Sequence, residues 1–180
     1  MVIQKNNNNS GRVRKIQEGE TFQSFDCGDT ELNDFLLYSA HDYRDTLLAV
    51  SYVYEEDKDV IAYFSLSNDS LSYSDFIEKK LFNKLNRRIN NAKRMREYPA
   101  MKIGRFAVMK DSKEKGIGSS LLDIIKYSLV NNPQSGCRFI TVDAYNGAID
   151  FYQKNGFVMM NEFQSNKKTQ PMFFDLSQIL

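Results

Sequence analysis

The sequence predicts an α/β protein of the α+β kind, with a central mixed, mostly antiparallel sheet flanked by helices. Three observations carry that expectation. Strand-like runs outnumber helix-like ones, the two kinds follow in mixed order rather than strict alternation, and no internal repeat is present.

The elements are read in chain order. Residues 1–12 form a lead whose polar, Asn-rich Gln4–Ser10 is expected to be disordered. Val13–Ile16 is a short strand candidate. Thr30 is placed to cap a helix running to about Arg44, with Leu32, Phe35, Leu36 and Tyr43 on one face. Leu47–Tyr54 and Val60–Leu66 are β-rich and flank Glu55-Glu56-Asp57-Lys58-Asp59, a hairpin pattern. Asp75 to about Arg94 repeats Ile77, Leu81, Leu85 and Ile89 at a spacing of four, a helix with one apolar stripe. It lies in a basic insertion, about 70–98, that Pro99 closes. Ile103–Met109 reads as a strand, Gly116–Val130 as a helix and Arg138–Asp143 as a strand. A helix bearing Tyr152 and two strands, near Phe157–Phe163 and Pro171–Leu176, complete a single domain over 13–180.

Composition narrows the chemistry. With 42% hydrophobic residues in 180, the chain can bury a core without covalent staples. Cys27 and Cys137 are isolated, without metal or redox spacing, which fits a reducing cytoplasm. No signal peptide is visible, and no apolar run approaches the ~20 residues of a membrane span. His41 is the one histidine. That excludes His-rich zinc sites and argues against Ser-His-Asp or Cys-His devices; a surface or half-buried place on the first helix is expected for it. No metal site is expected.

The most telling stretch is Lys113-Glu114-Lys115-Gly116-Ile117-Gly118-Ser119, between the Ile103 strand and the Gly116 helix. Glycines let a backbone approach a phosphate, the first amides of a helix point at it, and the helix dipole adds favourable potential. A P-loop would need Gly-x-x-x-x-Gly-Lys-Ser/Thr, which is absent; a dinucleotide fingerprint would need glycine where Leu121 stands. Lys113-x-x-Gly116-x-Gly118 remains. It resembles the acetyl-CoA pyrophosphate loop of the GCN5-related N-acetyltransferases (GNAT), written Arg/Gln-x-x-Gly-x-Gly/Ala. The neighbours extend the resemblance from about Val13 to Leu176. Ile103-Gly104-Arg105-Phe106-Ala107-Val108 leads into the loop, and Ala148-x-x-Phe151-Tyr152-Gln153-Lys154-Asn155-Gly156-Phe157 matches a Tyr-bearing helix ending in Gly-Phe. Phe25-Asp26-Cys27-Gly28-Asp29-x-Glu31-Leu32-Asn33-Asp34-Phe35-Leu36 and Pro171-Met172-Phe173-Phe174-Asp175-Leu176 look like the branch that includes toxins of bacterial toxin–antitoxin pairs acting on aminoacyl-tRNA.

The resemblance implies acetyl-CoA as cosubstrate and assigns roles. The amides from Glu114 through Lys115, Gly116, Ile117, Gly118 and Ser119 would hold the pyrophosphate, with Lys113 and Lys115 adding charge. The edge at Phe106, Ala107 and Val108 would pair with the pantetheine arm, the Val108 N–H donating to the thioester oxygen. Tyr152 would donate a proton to the departing sulfur. The family's CoA-contacting Asn falls at Tyr145 here; Asn146, one step late, is read either as that contact or as a cap of the Tyr152 helix. No general base stands out among Asp69, Asp143 and Glu97, which suits an α-amine acceptor, partly neutral at pH 7, better than a lysine.

Lys79–Arg105 holds ten basic residues and one acidic, net +9 in a chain of net +1. It reads either as a solvated helix face, partly serving CoA phosphates, or as a landing strip for tRNA. The branch resemblance allows an antitoxin partner and a homodimer. Competing readings are a transferase for a small amine or protein N-terminus, and a non-catalytic CoA- or RNA-binding protein.

Overall fold

The computed structural model describes residues 3–4, 11–88, 95–133 and 135–180. In chain order the elements are β1 (Ile3–Gln4), β2 (Arg12–Lys15), α1 (Thr30–Asp34), a π-helical segment (Phe35–Ser39), α2 (Ala40–Asp45), β3 (Val50–Glu56), β4 (Asp59–Ser72), α3 (Lys79–Arg88), β5 (Glu97–Val108), α4 (Ile117–Asn131), β6 (Phe139–Tyr145), α5 (Ile149–Lys154), β7 (Val158–Met159) and β8 (Thr169–Asp175). The strands form one eight-stranded sheet in the order β1-β2-β3-β4-β5-β6-β8-β7. The pairs β1–β2, β2–β3, β3–β4, β6–β8 and β7–β8 are antiparallel. This is the mixed, mostly antiparallel sheet with helices that the sequence predicts. Of the N-terminal lead, Ile3 and Gln4 pair with Val13 and Arg12; residues 1–2 and 5–10 lie outside the described residues. The chain divides into two compact units, Met1–Ser67 with Ile103–Leu122 and Asn68–Lys102 with Asp123–Leu180.

The first unit is organised around Tyr63. Its ring is fully buried, stands edge-on to Phe25 at 5.4 Å and stacks on Phe35 at 6.0 Å. Its hydroxyl donates to the Leu32 carbonyl at 2.6 Å, so the buried polar group is satisfied. Ile16, Leu36, Ala40, Val53 and Ala107 complete this core. The helical cap lies one residue earlier than expected: the extended Asp29, not Thr30, accepts the Leu32 N–H, at 3.1 Å. Within the expected helix, Ala40 N–H bonds to Phe35 O, the wider π spacing.

The hairpin turn is shorter than the charged run suggests. Glu55, Glu56 and Asp59 belong to strands, and Asp57 and Lys58 alone make the turn, both with positive φ (49° and 77°). Two left-handed residues give a turn whose twist matches the strands. A bulge between Tyr54 and Glu55 accompanies the inward turn of the Glu55 carboxylate. Glu55, 7% exposed, accepts from Arg12 Nε at 3.1 Å and from the Arg14 guanidinium. Arg14 also donates to Glu20 at 2.8 Å. These bonds fasten β2 to β3.

The second unit has an aromatic core: Phe76, Phe82, Tyr98, Phe139 and Phe173, with Leu71, Leu85, Ala100 and Met160. Helix α3 begins at Lys79, so Ile77 precedes it and is 68% exposed, and Ile89 lies outside the described residues. Its buried face is Phe82 and Leu85, with Leu81 partly buried. Pro99 does not end the insertion but lies inside β5; its carbonyl, the one ladder group proline keeps, accepts Arg138 N–H at 2.9 Å. Strand β4 continues to Ser72 through a polar run, because Asp69 takes a hydrogen bond from Thr141 and Leu71 is fully buried. The expected Phe157–Phe163 strand is reduced to Val158–Met159, with Met160 N–H bonded to Pro171 O at 2.9 Å.

The Arg14 network predicts an acid limit. Hydrogen bonds from Arg14 hold the Glu20 and Glu55 carboxyls below their ordinary 4.5. A carboxyl depressed on folding contributes stability that is present above its unfolded pKa and is lost as pH falls through the folded one. The melting temperature is therefore expected to drop as pH falls below about 4.5, and Glu55→Gln to flatten that drop. Calorimetry of both proteins from about pH 6 to about pH 3 measures it.

Candidate active site

The turn before α4 is built by left-handed backbone. A 3-10 turn over Lys110–Ser112 closes with Ser112 N–H on Met109 O at 2.9 Å. Glu114 and Gly116 then take φ of 67° and 76°. The first helical bond runs from Ser120 N–H to Gly116 O at 3.0 Å. The amides of Ile117, Gly118 and Ser119 therefore have no acceptor within the helix. A side chain at Gly116 would meet nothing within 4 Å, so open space lies over the turn. Successive amides, a positive-φ concavity and open space fit an anionic diphosphate.

The turn is braced from the N-terminal segment. Lys110 pairs with Asp26 at 2.6 Å, and its amide donates to Asp26 O at 3.0 Å. Lys113 Nζ donates to Cys27 O at 2.7 Å. Asp26 Oδ1 also accepts Gly28 N–H at 2.8 Å, in a turn that puts Gly28 at φ 84°. The Lys110 hydrogen bond, with the Gly28 amide, lowers the Asp26 carboxyl to about 2. Nothing in the residue pattern of 25–36 signals this brace. Lys113, at the position read as a phosphate charge, is spent on the Cys27 carbonyl; Lys115 stays exposed.

Phe106, Ala107 and Val108 are the last residues of β5. Ala107 is buried in the Tyr63 core, while Phe106 and Val108 are half-buried. Beyond them Met109 N–H donates to Ile61 O at 2.8 Å and fixes the strand exit. Arg105 meets Glu31 at 3.3 Å and lies over the Phe35 ring at 5.2 Å.

In the second unit Tyr152 lies on α5, 5% exposed, edge-on to Phe151 at 5.2 Å and to Phe157 at 5.3 Å. Its hydroxyl has no hydrogen-bond partner among the described residues. Burial pushes the phenol well above its ordinary 10, so it keeps its proton at neutral pH. Asn146 does not cap α5; the N-cap is Ala148, without a side-chain bond. The Asn146 amide donates to Lys167 O at 2.9 Å and accepts from Gln170 at 3.2 Å, which ties it to the start of β8. Of the carboxylates weighed as bases, Asp143 pairs with Lys102 at 2.6 Å, Asp69 accepts from Thr141, and Glu97 is exposed at the start of β5. His41 is half-buried on α2. Among the described residues no three His, Cys, Asp or Glu side chains gather to hold a metal. No helix among them is long and apolar enough to cross a membrane.

On α3, Lys80, Lys84 and Arg87 share one exposed face opposite Phe82 and Leu85. Phe82 and Tyr98, the aromatic residues of the basic segment, are both buried.

Solved structures similar in fold include toxins. One described as a bacterial toxin superposes with a TM-score of 0.76 at 17% identity, covering 95% of this chain and 93% of that one. AtaT complexed with acetyl-methionyl-tRNAfMet gives 0.72 at 18%, covering 94% and 96%. A mutant AtaT bound to the C-terminus of the antitoxin AtaR and acetyl-CoA gives 0.66 at 18%, covering 94% and 95%. The family model described as an acetyltransferase (GNAT) domain matches residues 78–172, more than half of the chain. The chain therefore belongs to the GNAT acetyltransferase family, and is an N-acetyltransferase with acetyl-CoA as its cosubstrate.

Proposed function

We propose that the protein moves the acetyl group of acetyl-CoA to the α-amino group of an aminoacyl-tRNA, as a cytoplasmic toxin restrained by an antitoxin. The observation that supports the cosubstrate site is the left-handed turn at Glu114–Gly116 opening onto the first amides of α4, which have no acceptor within the helix. Those amides, through Ser119, hold the diphosphate, with Lys115 adding charge. Lys113 acts on the turn itself, through Cys27. The end of β5, Phe106–Val108, pairs with the pantetheine arm, and the Val108 N–H donates to the thioester oxygen. Acetyl-CoA supplies an activated acyl group on a sulfur leaving group. As the neutral amine attacks the thioester carbon and the C–S bond breaks, the protonated Tyr152 hydroxyl donates to the departing sulfur. The proton shed by the amine passes through solvent to restore the phenol. Asn146 has no part in this scheme, its amide being engaged elsewhere.

Three observations support aminoacyl-tRNA as acceptor. The first is the fold shared with AtaT bound to acetyl-methionyl-tRNAfMet. The second is the exposed triad Lys80, Lys84 and Arg87, with exposed Arg96. With Phe82 and Tyr98 buried, this surface meets nucleic acid by charge on phosphates rather than by stacking on bases. The third is that Asp69 and Asp143 are already engaged. An α-amine of pKa ~7.7–8.0 is roughly 9–17% neutral at pH 7, against ~0.04% for a lysine, and so needs less help from a base.

Tyr152→Phe is expected to lower kcat at least tenfold while the KM for acetyl-CoA stays within about twofold. Acetyl transfer from radiolabelled acetyl-CoA to charged tRNA, peptides and polyamines, offered separately, measures this; label confined to peptides or polyamines removes the tRNA reading. Gly116→Ala keeps room within the protein but strains a left-handed position by roughly 1 kcal/mol and fills the space over the turn. Its KM for acetyl-CoA should rise roughly tenfold or more, with a melting temperature lowered by only ~2–4 °C. Reversing Lys80, Lys84 and Arg87 to Glu should weaken tRNA binding and reduce the slope of log K against log salt by about one per residue, as read by filter binding.

A further inference from the structure

Lys126 is a buried lysine that the proposed chemistry does not use. It projects from α4 and is 6% exposed. Its ammonium lies 4.5 Å over the Phe174 ring and 5.9 Å from that of Phe157. It donates to the Asn155 carbonyl at 2.9 Å and pairs with Asp123 at 3.4 Å. Asn155 is the residue at which α5 ends. The last carbonyls of a helix have no partner within it, so this donor completes the end of α5.

That end is coupled to Tyr152 by short links. The Tyr152 carbonyl accepts from Asn155 N–H at 3.1 Å and from Phe157 N–H at 3.0 Å. Asn155 Nδ2 donates to Phe151 O at 2.8 Å. Phe157, one of the two rings against the phenol, packs on Phe174 at 5.6 Å, and the ammonium lies over Phe174. A methyl group in place of the Gly156 hydrogen, at φ 83°, would stand 3.0 Å from the Phe174 ring, so the chain turns tightly against that same ring. With no hydrogen bond on its hydroxyl among the described residues, the phenol is aimed by packing and by the anchoring of its helix.

We propose that Lys126 is a positioning residue for Tyr152, holding the C-terminal end of α5, and with it the phenol, through Asn155 and the Phe157–Phe174 pair. This rests on the acid role proposed above for Tyr152. Methionine fills the volume of the lysine stem and suits contact with Phe174, so Lys126→Met removes the donor and the charge while sparing the packing. Lys126→Gln, run in parallel, guards against a methionine variant that fails to fold, and Lys126→Arg restores a charged donor.

The test is a double-mutant cycle with Tyr152→Phe, reading kcat and KM for acetyl-CoA with a mixed acceptor pool of charged tRNA, peptides and polyamines, well below each variant's melting temperature. Lys126→Met and Lys126→Gln are expected to lose roughly tenfold in kcat with KM for acetyl-CoA within about twofold, and Lys126→Arg to recover most of the loss. In the Tyr152→Phe background the same changes should cost nothing more. An equal loss in both backgrounds, or no loss in the wild-type background, overturns the proposal. A Tyr152→Phe protein with full kcat overturns the acid role instead, and does so whatever Lys126 does.

Discussion

Amides at the start of α4 that have no acceptor within the helix are the constraint around which the proposed cosubstrate site is built. A helix that begins out of regular turn structure ordinarily finds a side-chain cap for its first N–H groups. Here Glu114 and Gly116 turn the backbone left-handed just before the helix, and open space lies over the turn. Leaving polar groups unsatisfied is costly in the absence of water or ligand. The rest of the first unit is consistent with holding that arrangement: Lys110 and Lys113 are tied to Asp26 and Cys27, and Met109 to Ile61. The charge of Lys113 is thus directed at Cys27, and in the proposed site the hold on an anion falls to backbone geometry with Lys115.

A buried tyrosine in each unit holds its hydroxyl differently. In the first, Tyr63 gives its hydroxyl to a helix carbonyl, and Glu55 is neutralised by two arginines. In the second, the Tyr152 side chain is buried and its O–H has no hydrogen-bond partner among the described residues. A buried phenol without a partner is a cost in a structural role and an asset in a proton donor, whose hydrogen must be available when negative charge develops on a leaving group. In the proposed role, the pKa that burial raises keeps the proton in place but makes the phenol a reluctant acid, so its aim would matter more than its acidity.

Legibility follows the range of the interactions. The strand–turn–helix at 103–131 can be read because glycine spacing and apolar periodicity are local. The Asp57–Lys58 turn is blurred by its charged neighbours: composition marks a turn region, whereas register decides which residues occupy it. Pro99 looks like a stop because its lost N–H says nothing of which backbone group the neighbouring chain needs. The continuation of β4 to Ser72 depends on Thr141, on a distant strand. The Lys113–Cys27 bond joins residues 86 positions apart, and the Lys126–Asn155 bond residues 29 apart. No local pattern marks such pairs, and the family motif describes the turn without its brace.

The π-helical segment at Phe35–Ser39 carries a last consequence. A π turn is an α-helix that has taken in one additional residue, and the widened loop confines the change in phase to a single turn. Phe35 and Leu36 at its start, and Ala40 just beyond its end, still face the core. Chains descended from the same ancestor can therefore differ in length by one residue here, with both flanking faces keeping their aim. An alignment that forces a gap elsewhere in this helix would set its inward residues about 100° out of step.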